Sequence, residues 1–187
     1  MDADVIVIGA GLAGLAAGTV LLALPLGTPV RLAGFVLAAA GVVAFLVQAA
    51  AFYRHRKRRS LDPGMRLALA GLGGVGAALG LAPFAWFHGW QSVRLLSAYV
   101  FLLVAGISLF IAGHYFKIVP FVVWYHRWGT RVGRERVPSV ADLYSASGAT
   151  RALAALVAGV LGIAAGILAG HAGLLRAGAF VFLLGIG

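Results

Sequence analysis

Apolar stretches of bilayer-spanning length follow one another along almost the whole of this chain. A hydrocarbon core about 30 Å thick is crossed by roughly 20 apolar residues of helix. Stretches of that kind lie at about 5–26, 32–53, 65–86, 93–117 and 152–170, with a shorter one at 174–187. Pro25-Leu-Gly-Thr-Pro29 separates the first two, because two prolines and a glycine do not continue a helix. Arg54-His-Arg-Lys-Arg-Arg59 ends the second, and Ser60-Leu-Asp-Pro-Gly64 reads as the turn into the third. The expected fold is therefore an all-α polytopic membrane bundle of about six helices, forming a single membrane domain over 1–187. The last stretch, 174–187, falls short of a full crossing. It is either a tilted terminal helix or the start of a span in a longer protein, and the second is the expectation.

Composition supports lipid as the solvent. Of 187 residues, 62% are apolar and 11% charged, where a soluble domain is about half apolar and a quarter charged. The mean hydropathy is +1.01. A soluble enzyme and a disordered chain are excluded on these grounds. The chain has no cysteine, which removes disulfides, thiolate metal sites and thiol catalysis.

The net charge of +10 would suggest nucleic acid in a soluble protein, but its distribution points to the membrane. Arg54, Arg56, Lys57, Arg58, Arg59 and Arg66 form one block, and Arg127, Arg131, Arg134, Arg136 and Arg151 the other. Placing both blocks on the cytoplasmic side leaves Arg31, Arg94 and Arg176 outside, with Lys117 near the inner end of the fourth span. That asymmetry satisfies the positive-inside rule and puts the N-terminus in the cytoplasm. The expected location is the bacterial inner membrane, multi-pass, with lipid and other membrane subunits or further copies of the chain as partners and no nucleic acid. The acidic N-terminus, Asp2 and Asp4, is unlike a cleavable signal peptide.

Gly9, Gly11 and Gly14 match the G-x-G-x-x-G dinucleotide fingerprint after a strand-like run, Asp4 to Ile8. The fingerprint also needs a second strand ending in an acidic residue about 20 residues on. Here Thr28-Pro-Val-Arg-Leu-Ala-Gly34 carries none, and the next carboxylate is Asp62. We therefore expect no flavin or NAD. Gly14 and Gly18 instead form a small-xxx-small pair that lets membrane helices approach. Gly76 and Gly80 share that spacing, as do Ala158, Gly162, Gly166 and Gly170.

No span contains an acidic residue, and no hydrolytic constellation or metal-ligand cluster is present in the sequence. The chain is expected to have no catalytic residues, no metal site and no catalytic activity of its own. The histidines are the groups with ligand chemistry. His88 and His171 fall at the outer ends of the third and fifth spans, and His114 towards the inner end of the fourth. Imidazoles from facing helices ligate b-type haem axially, so haem b is the cofactor His114, His88 or His171 could hold. The plainer reading is that they solvate among headgroups.

The most distinctive run is Gly113-His-Tyr-Phe-Lys-Ile-Val-Pro-Phe-Val-Val-Trp-Tyr-His-Arg-Trp128, continuing through Arg134-Glu-Arg-Val-Pro-Ser-Val-Ala-Asp-Leu-Tyr144. Pro120 is expected to bend or end the fourth helix near Phe116. Lys117 would snorkel to anionic headgroups, and Trp124, Tyr125 and Trp128 would anchor the bend at the interface. His114 would then point into the bundle. Residues 93–144 resemble uncharacterised bacterial membrane proteins distantly similar to haem-copper oxidase subunit I. Where those carry a His-x-His pair, this chain has Ser97-Ala-Tyr99, so the resemblance implies a degenerate or accessory relative. The expected function is a multi-pass subunit of an electron-transfer assembly, non-catalytic or haem-associated. A structural scaffold and part of a channel or carrier are the alternatives.

Overall fold

A computed structural model describes residues 13–22, 24–25, 27–55, 61–88 and 91–187. The strand-like run, Gly9 and Gly11, the bases Arg56–Arg59, Ser60 and Trp90 lie outside the described residues. Six α-helices are described: α1 Ala13–Leu22, α2 Thr28–Arg54, α3 Pro63–Phe87, α4 Val93–Trp128, α5 Ala146–Ala169 and α6 Ala172–Ile186. No strand occurs among the described residues beyond an isolated bridge between Val132 and Glu135. The fold is all-α, as the hydropathy pattern requires. α2, α3, α4 and α5 are long and apolar enough to cross a membrane, whereas α1 as described and α6 are shorter. Between 11% and 33% of the most apolar window of each long helix is buried within the protein. The remaining Val, Leu, Ile and Phe surface is far larger than the apolar patches soluble monomers tolerate, and lipid contact accounts for it.

The chain falls into two compact units, one within Met1–Arg59 and one within Ser60–Gly187. In the first, α1 and α2 run antiparallel and meet through glycine. A Cβ added to Gly18 would strike the Ala38 amide and lie 2.6 Å from the Gly34 carbonyl oxygen. Gly14 is looser, with Gly41 Cα 3.5 Å from the same construction. Pro29 sits in the first turn of α2, where its missing N–H costs nothing.

In the second unit α3 packs on α4 and α5 on α6, with α4 and α3 also touching α5. Gly64, Gly71, Ala78 and Ala85 lie seven apart on α3 and are all buried. Seven residues are almost two turns, so they form one stripe. It meets an antiparallel stripe on α4. A Cβ on Gly113 would lie 2.5 Å from the Gly64 carbonyl oxygen, and one on Gly106 2.8 Å from that of Gly71. α5 and α6 repeat the device, with Gly162 against Gly178, Gly166 against Leu175 and Gly159 against Phe182. Leu67, Ala78, Leu102, Leu109, Val160 and Ala164 fill the core where α3, α4 and α5 converge. Tyr99 packs against it.

Three details depart from the sequence expectations. The close contacts of α3 with α4 run through Gly64, Gly71 and Gly74, and Gly80, expected to pack, faces open space. Gly170 ends α5 in the left-handed conformation, φ 65°, and so belongs to a turn rather than to the packing stripe. α4 neither ends nor stops short at Pro120: it continues to Trp128. A proline removes one backbone hydrogen bond, a loss neighbouring groups can compensate in a membrane helix, and a fold-back contact described below holds the far side of it.

Candidate functional site

The second half of α4 carries the densest set of polar and aromatic side chains. Its placement begins with α3. Asp62 caps that helix, its Oδ1 accepting from the Met65 amide at 2.8 Å, and Pro63 follows at the first helical position. The capping carboxylate is also favoured there by the helix dipole. Because Gly64 and Gly113 bring the backbones together, Lys117, one turn after Gly113, reaches the same carboxylate. Its Nζ is 4.0 Å from Asp62 Oδ2. With the side chains 63% and 39% exposed, solvent screening limits this pair to about 0–1 kcal/mol. Lys117 therefore turns to Asp62 rather than only to lipid headgroups.

Gly113 is the buried residue facing α3, so His114, about 100° further round the helix, is exposed. This reverses the inward placement expected for it. Its ring tilts against Phe110 at 4.6 Å between centroids, and its Nδ1 donates to the Phe110 carbonyl at 2.8 Å. His88 does the same at the end of α3, donating to Phe84 O at 2.8 Å, and His126 to Val122 O at 3.0 Å. A carbonyl oxygen only accepts, so in each neutral ring Nδ1 holds the proton and Nε2 the lone pair. That is the tautomer of an Nε2 metal ligand.

His171 is different. It caps α6, its Nδ1 accepting from the Leu174 amide at 3.1 Å, so the neutral ring carries its proton on Nε2. Ligation through Nε2 would need the other tautomer and would break the cap. His171 is a helix-capping residue, and His171→Ala should cost about 1 kcal/mol of thermal stability, with His171→Ser retaining most of it. Equal melting temperatures for the wild type and His171→Ala would contradict that role.

Beyond Pro120 the rings of Phe121, Trp124 and Tyr125 form a ladder, Phe121 lying 6.5 Å from Trp124 and 6.4 Å from Tyr125. The Trp124 indole Nε1 donates to the Pro138 carbonyl at 2.6 Å. This bond folds the segment 129–145 back along α4. The segment itself is ordered by two short turns, Gly129–Arg131 and Val140–Leu143. Ser139 and Asp142 close a capping box around the second, with Ser139 N 2.8 Å from Asp142 Oδ2. Ser145 then caps α5, which starts six residues earlier than hydropathy suggests and takes Arg151 into the helix. Arg127 lies over the Trp128 ring at 5.3 Å.

A small cleft opens beside Phe116, lined by Pro63, Leu67, Ala149, Leu153 and Leu156, with about 10 Å³ of enclosed space. That is room for one water. Among the described residues no group of three or more His, Asp or Glu is placed to hold a metal ion. No family model, curated protein or solved structure matches this chain.

Two arrangements go beyond the sequence reading. One is the double use of Asp62 as helix cap and ion-pair partner. The other is Arg94, whose guanidinium lies over Gly170, at 2.5 Å from a Cβ built there. It places a positive charge beside the carbonyl end of α5. An Asp-Pro-Gly sequence was a fair signal for the first; nothing local signals the second.

Proposed function

We propose that this chain is a non-catalytic, multi-pass subunit of a membrane assembly, acting through its outer surface. The observation carrying this reading is the backbone-close packing of α3 on α4 and of α5 on α6, which leaves the interior filled by glycine, alanine and larger aliphatic side chains. A substrate pocket or transport path needs polar groups around internal space; here the distinctive side chains of α4 face outward, where another subunit could meet them. The positive-inside asymmetry supports a cytoplasmic N-terminus, and the resemblance of residues 93–144 supports an electron-transfer assembly of the bacterial inner membrane.

Haem association is the second reading, favoured by one observation. His114 is exposed and already in the tautomer that leaves Nε2 free, so it suits a haem shared with a facing chain better than one enclosed in this bundle. Purification in mild detergent tests both readings. The expected result is co-migration with other membrane proteins on native electrophoresis. A Soret band lost in His114→Ala and kept in His171→Ala supports haem at that face. A colourless complex leaves the scaffold reading alone, and a chain that migrates only as a monomer in native membranes and detergent overturns the subunit reading.

A further inference from the structure

We infer that the end of α4 and the turn that follows it form a binding surface for anionic phospholipid headgroups. α4 has 36 residues, about 54 Å at 1.5 Å per residue. The part from Val93 to Phe116, about 36 Å, lies alongside α3 and already exceeds the hydrocarbon thickness. Beyond it, Ile118, Val119, Phe121, Val122, Val123 and Tyr125 are exposed on the side of the helix turned away from Pro120 and Trp124. Because the preceding part already crosses the hydrocarbon, this broad apolar face lies at the lipid boundary, with Tyr125 and Trp128 marking the depth at which aromatic residues collect.

The charges sit just past that depth. Arg127 lies on Trp128, and the chain then turns so that the Arg134 and Glu135 amides both donate to the Arg131 carbonyl, at 3.0 and 3.1 Å. This brings Arg131 and Arg134 together, with Arg136 two residues on; all four arginines are exposed. Glu135 is the one acidic residue between 127 and 136. The Trp124–Pro138 bond ties this basic turn to the lipid-embedded helix, so the guanidinium groups are held at the level of the headgroups. Guanidinium matches phosphate oxygens in a bidentate fork, and basic clusters next to a membrane helix attract anionic lipid. The ligand is the phosphate of a lipid such as phosphatidylglycerol, gripped at the head by arginine and flanked at the acyl chains by Ile118 to Val123.

The test uses the full chain reconstituted in nanodiscs of phosphatidylcholine containing 20 mol% phosphatidylglycerol, with lipids retained after detergent extraction counted by native mass spectrometry. Wild type should be enriched in phosphatidylglycerol, and the enrichment should fall with added salt. Arg131→Gln/Arg134→Gln/Arg136→Gln should lose it by about fivefold per charge removed, with its helical content unchanged. Glycerol 3-phosphate at millimolar concentration should not displace the lipid; displacement would mean that a soluble phosphate is the ligand and would overturn the lipid assignment. Equal retention of the two lipids by wild type, or undiminished enrichment in a folded triple variant, would also overturn it. Should the triple variant fail to fold, the wild-type salt titration decides: enrichment that salt does not alter refutes a headgroup held by charge.

Discussion

Gly71→Leu, Gly106→Leu and Gly113→Leu should each abolish the folded 60–187 unit, giving aggregate instead of monodisperse protein after detergent extraction. Even alanine is too large at these sites. A Cβ on Gly71 would strike the Phe110 amide, and one on Gly113 would lie 2.6 Å from the Ala68 amide nitrogen. Both obstacles are backbone, which cannot rotate away as the end of a side chain can. Separating α3 from α4 along their shared stripe to admit one methyl also opens gaps at the neighbouring alanines, so each alanine variant should lose about 1–3 kcal/mol. Gly73 and Gly80 are the controls, since a Cβ at either meets nothing within 4 Å. Gly73→Ala and Gly80→Ala should be neutral or stabilising by up to about 1 kcal/mol, through helix propensity alone. Thermal unfolding of the five alanine variants in one detergent checks the contrast. A Gly71→Ala protein melting with Gly80→Ala would mean that α3 and α4 are not in backbone contact.

The same glycines show what a sequence can and cannot reveal here. Hydropathy locates the long helices because lipid imposes length and apolarity on each span independently of its neighbours. Which glycines face a partner is a relation between two helices. In a chain with 27 glycines, four-residue spacings arise in abundance, and the pair Gly76 and Gly80 was as good a candidate as any. The stripe in use has a period of seven on α3, and it becomes recognisable only beside Gly106 and Gly113 on α4. His114 follows from the same fact, because Gly113 takes the position facing α3 and so turns its neighbour outward. The length of α4 was underestimated for a different reason. The rule that proline ends helices weighs a local loss, whereas the bond that secures the helix beyond Pro120 comes from Pro138, distant in sequence. The segment from Gly113 to Trp128 is nevertheless identifiable as unusual, since His, Lys, Pro and six large aromatic residues seldom share one span.

Trp124→Phe isolates that distant bond. Phenylalanine keeps the ring against Phe121 but has no N–H for the Pro138 carbonyl, which now accepts at 2.6 Å. A net loss of about 1 kcal/mol is expected, equivalent to roughly a fivefold rise in the population in which the segment 129–145 is detached. Arg131, Arg134 and Arg136 lie in that segment and are exposed, so cleavage by an arginine-specific protease should accelerate by the same factor at protease concentrations where opening and closing are fast relative to cleavage. Trp124→Ala also removes the ring contact and should accelerate it further, while the melting of the α3–α4 pair stays unchanged because its glycine stripe ends at Gly113. Unaltered cleavage in both variants would show that the turn is held by something other than the indole. Accelerated cleavage accompanied by loss of phosphatidylglycerol enrichment, with every arginine still present, would show that the fixed position of the arginines matters as well as their charge.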